Sequence, residues 1–150
     1  MQVSAAEAIK ARAAARAREQ GLPYAGALTP TEAHELMKSG ARLVDVRTRA
    51  ELEWVGRVPG AIPVEWNTWP GGKPNAEFLA QLAEHVDKPE PVMFLCRSGG
   101  RSHNAAVAAT QAGYAECYNV LEGFEGDKDP NQHRNAVNGW RYRGLPWVQG

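Results

Sequence analysis

The chain has 150 residues, enough for one domain that buries roughly 70% of the surface its unfolded form exposes. Seventeen lysines and arginines balance seventeen aspartates and glutamates, which argues against a nucleic-acid or membrane partner recognised by bulk charge. No apolar run reaches the length of a membrane span, and the only cysteines, Cys96 and Cys117, form no C-x-x-C pair, as expected of a protein in a reducing cytoplasm.

The opening MQVSAAEAIKARAAARAREQG lacks the apolar stretch of a secretory signal and reads as a helix. Ser4-Ala5-Ala6-Glu7 fits the reciprocal capping box, and Gly21 followed by Pro23 supplies the stop. Ile9 is its one large aliphatic residue, so the helix rests on alanine propensity and is expected to be a peripheral arm. Its basic residues are expected to form a solvated face. We therefore divide the chain into a helical extension, 1–27, and a folded domain, 28–150.

Thr29-Pro30-Thr31-Glu32 repeats the capping box with proline at the first helical position, predicting a helix over 30–38 that ends near Gly40. RLVDVR, 42–47, reads as a short strand, and Thr48-Arg49-Ala50-Glu51 opens a brief helix. AIPVEW predicts another strand, and the loop NTWPGGKPN leads to a helix near 76–86, with Phe78, Leu79, Leu82 and Val86 along one face. PVMFLC is the most continuous apolar run and reads as a central strand covered on both faces. A helix over about 101–112, ending at Gly113, and the strand CYNV follow. Strands alternating with helices predict an α/β domain around a parallel sheet.

The segment FLCRSGGRSHNAA, 94–106, carries the chemistry. In such a sheet ligands bind beyond the carboxyl ends of the strands, and Cys96 stands at that end of the best central strand. Gly99 and Gly100 leave room for close approach, and the amides of residues 98–102, ahead of a helix, converge as an anion cradle. A thiolate there is favoured by those dipoles and by the charges of Arg97 and Arg101. The spacing favours a reactive cysteine over a structural one ahead of an ordinary glycine turn.

CRSGGRS resembles the active-site loop of the rhodanese sulfurtransferases. LVDVRTRAELEWVGRVPGAIPV, 43–64, resembles that family's Asp-Val-Arg and Ile-Pro-Gly-Ala signature, with Gly56-Arg57-Val58 where Gly-His-Ile is usual. YNVLEGFEG and GWRYRGLPW resemble its closing segments, so the likeness runs over about 28–148. It implies a rhodanese-like sheet of about five parallel strands with helices on both faces, and sulfur transfer through a Cys96 persulfide. The implied donor is thiosulfate or a persulfide, and the acceptor is a thiol or cyanide, with no cofactor and no metal. Protein donors or acceptors are also compatible, in which case the chain is a sulfur carrier or docking module. Arg97, Ser98, Gly99, Gly100, Arg101 and Ser102 would form the binding loop, Arg97 steering an anionic donor. Asp45, Arg47 and Glu51 would support it, with Asp45 or Glu51 bracing Arg101.

Cysteine phosphatases place an arginine six positions after the nucleophile, where this chain has Ser102, so sulfur is favoured over phosphorus. Cys117 is expected in the core, although a resolving role for it is open, and His103 is expected on a solvent-facing turn. Asp127-Lys128-Asp129-Pro130-Asn131 begins like a calcium loop but continues with Gln132 and Asn138 where glycine and glutamate are needed. Trp66 and Trp69 are candidates for the pocket rim, Trp140 and Trp147 are expected to seal the core, and for all four packing is the favoured role.

Overall fold

A computed structural model of the chain describes residues 4–149. Its strands are β1 (Gly26–Leu28), β2 (Arg42–Asp45), β3 (Ile62–Pro63), β4 (Val92–Leu95) and β5 (Cys117–Val120), and its helices are α1 (Ala5–Gln20), α2 (Pro30–Lys38), α3 (Arg49–Trp54), α4 (Phe78–His85) and α5 (Gly100–Gln111). The capping signals explain where three helices begin. At α2 and α3 both arms of the box form, Thr29 with Glu32 and Thr48 with Glu51. At α1 the Ser4 hydroxyl accepts from the Glu7 N–H, and Gly21, at φ 65°, closes the helix by donating to the Ala17 and Arg18 carbonyls.

All five strands are parallel, in the order β1-β5-β4-β2-β3. The chain leaves β2 toward β3 on one side and leaves β4 toward β5 on the other. The carboxyl ends of β2 and β4 therefore bound the crevice where the winding reverses, the place such sheets bind ligands.

Strand alternation divides the core between the two faces. Leu43, Met93, Leu95 and Tyr118 meet Ile9 and Ala13 of α1 and Ala33 and Leu36 of α2. Val44, Val92, Phe94 and Cys117 meet Phe78 and Leu82 of α4 and Ala105, Ala106 and Ala109 of α5. Trp140, fully buried, belongs to the first of these layers.

Four expectations need correction. The N-terminal helix is docked and not a peripheral arm: Ile9, Ala13 and Ala17 are buried, and Gly26 lets the Ala13 backbone come so close that an added Cβ would sit 2.6 Å from it. Three of its cations are also engaged, Arg12 and Arg16 with Glu32 and Lys10 with Glu116, although Arg12 and Arg18 stay exposed. The strand expected over 61–66 contracts to two residues, and β1, with neither length nor β-branching to mark it, went unpredicted. Trp147 is 40% exposed and packs edge-on against Phe124 instead of sealing the core. No described helix is long and apolar enough to cross a membrane.

Candidate active site

β4 ends at Leu95, and Cys96 follows with its side chain 1% exposed, in the core layer of Val44 and Phe94. The chain then turns through Arg97, Ser98 and Gly99 into α5. Gly99 stands at φ 116° and is the N-cap of that helix, a conformation that favours glycine. The turn brings the Gly99 N–H to 3.1 Å from Cys96 Sγ and the Ser102 hydroxyl to 3.3 Å. The first helical bond of α5 runs from the His103 N–H to the Gly99 carbonyl. The N–H groups of Gly100, Arg101 and Ser102 lie ahead of it, without helical partners. A sulfur at Cys96 thus sits at the positive end of a 12-residue helix, already accepting one amide.

The loop is held from behind by the segment after β5. Phe124 donates its N–H to the Cys96 carbonyl at 2.8 Å, and Glu125 and Gly126 donate to the Arg97 carbonyl. Gly123, at φ 72°, packs directly on the Arg97–Ser98 peptide, where any Cβ would overlap backbone atoms. The closing motif YNVLEGFEG is therefore the back wall of the loop.

The two loop arginines have different environments. Arg97 is exposed and lines the cleft above the loop. Arg101 is clamped by Glu51 of α3 through two parallel bonds of 2.7 and 3.0 Å. Burial pushes the Glu51 carboxyl up, but the bonds and charge of Arg101, with the amide and hydroxyl of Thr48, outweigh it and bring its pKa from 4.5 to about 2. Arg101 in turn is raised, chiefly by its hydrogen bond to Glu51. Glu51 is thus both a helix cap and the brace of the loop.

Asp45 does not brace Arg101. It forms a fully buried, two-pronged pair with Arg47, whose guanidinium also donates to the Gly56 carbonyl and stacks 4.2 Å from the centre of the Phe124 ring. The Asp-Val-Arg motif is therefore a structural lock at the carboxyl end of β2, tying it to the turn before β3 and to the wall behind Cys96.

A cleft of about 540 Å³ opens above the loop between α3 and α5, lined by Glu51, Arg97 and Arg101 and by Trp54 and Trp69. These tryptophans are 68% and 58% exposed and meet edge-to-face with ring centres 6.5 Å apart. Packing was expected for Trp66 and Trp69: Trp66 does pack edge-on against Phe78 at the core, whereas Trp69 lines the cleft. Trp54 was missed, because one aromatic on a six-residue helix carries no periodic signal.

The strand register separates the two cysteines. Cys117 pairs with Val92, four residues before Cys96 on the same strand run, or roughly 13 Å away at the rise of a parallel strand. Burial pushes the Cys117 thiol up, as for an inert core cysteine. His103 is partly buried and bonded to Tyr24, not simply solvent-facing. In the Asp127–Asn138 loop, Asp129 accepts the amides of Asn131 and His133 and Asp127 accepts from Asn138, so its carboxylates shape the turn.

Comparison with known proteins identifies the family and the fold. A family model described as a rhodanese-like domain matches residues 29–129. An uncharacterized protein of Rickettsia conorii, RC0915, is 37% identical over 122 residues, covering 78% of this chain and 92% of its own length. Thiosulfate sulfurtransferase 16, a chloroplastic protein of Arabidopsis thaliana, is 30% identical, covering 87% of this chain and 97% of its own. Among solved structures, Rv0390 of M. tuberculosis superposes with a TM-score of 0.78 at 47% identity, over 85% of this chain and 99% of that one.

Proposed function

The chain belongs to the rhodanese-like domain family, and we propose that it is a sulfurtransferase that carries the transferred sulfur as a persulfide on Cys96. The observation that carries this reading is the placement of Cys96 Sγ against the Gly99 amide, under the free N–H groups that open α5. In the first half-reaction the Cys96 thiolate attacks the outer sulfur of thiosulfate. A Cys96 S–S bond forms, the donor's S–S bond breaks, and sulfite leaves with the electron pair. In the second, an acceptor thiolate or cyanide attacks the outer sulfur and the Cys96 thiolate departs. Each half is easier than direct transfer between two anions. The outer persulfide sulfur lies beyond Sγ, where the amides of Gly100, Arg101 and Ser102 are available to its negative charge.

Arg97, exposed at the cleft, draws in the anionic donor, while Arg101, tied to Glu51, fixes the loop. That commitment also speaks against a phosphatase, which needs an arginine free to grip phosphate on both sides. The cleft is far larger than cyanide needs and two of its walls are tryptophans, which favours an organic or protein thiol as acceptor. Initial rates of thiocyanate formation at varied thiosulfate and cyanide test the proposal. Parallel double-reciprocal lines are expected; intersecting lines would require both substrates to be bound together and would reject the persulfide route.

A further inference from the structure

Four charged residues line the cleft above Cys96, and two of them, Glu51 and Arg101, are engaged with each other. The other two, Arg97 and Glu125, carry opposite charges. Among the described residues their side chains form no hydrogen bond or ion pair, either with each other or with a third group. Their backbones are nonetheless joined, the Glu125 N–H donating to the Arg97 carbonyl at 3.0 Å. The Glu125 carbonyl accepts from the Asn135 N–H at 2.8 Å. Both backbone groups of Glu125 are thus taken, and what it offers the cleft is its carboxylate.

Neighbouring polar groups are committed elsewhere. Arg141 directs Nε to Asn135 Oδ1 and Nη1 to the Val55 carbonyl. On the core side of the sulfur, Ser102 donates to Asn119 Oδ1 at 2.6 Å, and Asn119 Nδ2 donates to the Gly99 carbonyl. Glu125 is half-buried, where charge is screened less than in open water. A carboxylate there opposes the first half of the transfer, because thiosulfate is an anion. The second half is different. Donor and acceptor occupy the cleft in turn, so Arg97 is free again once sulfite has left. The acceptor then meets one positive and one negative group beside the persulfide.

We propose that Glu125 determines acceptor specificity, and that the acceptor is a small aminothiol whose ammonium pairs with Glu125 and whose carboxylate pairs with Arg97. This rests on the reading of Cys96 as the persulfide carrier. Phe124 is bonded to the Cys96 carbonyl and Glu125 to the Arg97 carbonyl, so both charges belong to residues beside the sulfur. Charges that close suit groups carried by the thiol molecule itself. The acceptor loses its thiol proton to solvent, and its thiolate attacks the outer sulfur. A new S–S bond forms, the bond to Cys96 Sγ breaks, and Cys96 departs with the electron pair as a thiolate. The product is the persulfide of the aminothiol. Glu125 thus works against the donor and for the acceptor.

The test loads the wild type and Glu125→Gln with sulfur from thiosulfate, removes the donor, and follows single-turnover discharge by intact mass. Three thiols are compared: L-cysteine, which carries both charges, cysteamine, which has only the ammonium, and 3-mercaptopropionate, which has only the carboxylate. Comparing each thiol with itself across the two proteins cancels its intrinsic reactivity. Glu125→Gln is expected to slow discharge by L-cysteine and cysteamine about fivefold, the upper range for an ion pair open to water. It should speed discharge by 3-mercaptopropionate, and uptake from thiosulfate, about twofold, since both are anions that Glu125 repels. Unchanged rates with the two ammonium thiols overturn the proposal. So does an equal slowing of all three, which would mean that the substitution disturbs the loop. Uptake is scored first: a wild type that takes up no sulfur rejects the persulfide reading itself, whereas normal loading with no ammonium effect rejects only the role of Glu125.

Discussion

Glu51 is the residue on which three tasks fall together: it caps α3, lines the cleft and clamps Arg101. Glu51→Gln keeps a group able to cap the helix but removes the charge that holds the guanidinium. We expect kcat/KM for thiosulfate to fall roughly tenfold, the scale of one charge-assisted hydrogen bond, with little change in secondary structure by circular dichroism. Wild-type turnover in this variant would show that the clamp does not matter. Gly123 acts on the same loop from behind. Gly123→Ala places a methyl group into the Arg97–Ser98 peptide and strains a backbone at φ 72°. The variant is expected to lose more than nine-tenths of its activity, by about the factor that a misplaced catalytic group costs, and to unfold at lower denaturant. Asp45 and Arg47 show what sequence position alone conceals. The motif announced two charged residues near the loop, but only folding reveals that they pair with each other in the core and leave Glu51 to meet Arg101 across a separation of 50 residues.

Among the elements, those with strong local signals were legible in the sequence. The threonine capping boxes placed α2 and α3, and the apolar run 92–95 with glycines after it placed β4 and the loop. The sequence was silent where structure is imposed from outside. β1 is three residues held by pairing with β5, and β3 is two residues held by β2. α1 was misjudged for a related reason. Its alanines carry little hydrophobic pattern, yet small residues are what allow Ala13 to approach Gly26 closely enough for the helix to lie on the sheet. That contact makes a prediction. Gly26→Val should push α1 away from β1 and cost about 1–3 kcal/mol of unfolding free energy, as overpacking does, read from urea denaturation. A variant as stable as the wild type would mean that α1 contributes nothing to the fold. Asn119 was not foreseen as part of the site. The signal available was a polar side chain within the otherwise apolar strand 117–120, which buries only if it finds partners.

For the whole molecule, two carboxylates link distant parts of the fold to pH. Glu32 joins α2 to Arg12 and Arg16 of α1, and Glu51 joins α3 to Arg101 of α5. Burial raises each, but their arginine partners and capped threonines prevail, and both stand at about 2 against 4.5. The folded protein thus binds fewer protons than the unfolded chain between these values. The stability these groups contribute is complete above about pH 4.5 and is lost as pH falls toward 2. The urea midpoint should decline through that window, and a Glu32→Gln, Glu51→Gln double variant should show a shallower decline from a lower starting point. Parallel curves would place the acid sensitivity elsewhere.

The end of β4, the Gly99 amide and the wall at Gly123 meet at the loop that carries Cys96, so the most direct test of the proposed transfer asks whether its sulfur accepts another. The intact mass of the reduced protein would be measured before and after thiosulfate, with Cys96→Ser alongside and cyanide added last. The account predicts that the wild type gains one sulfur and releases it as thiocyanate, while Cys96→Ser gains none. A wild type that takes up no sulfur from thiosulfate, or a Cys96→Ser protein that still does, would contradict it.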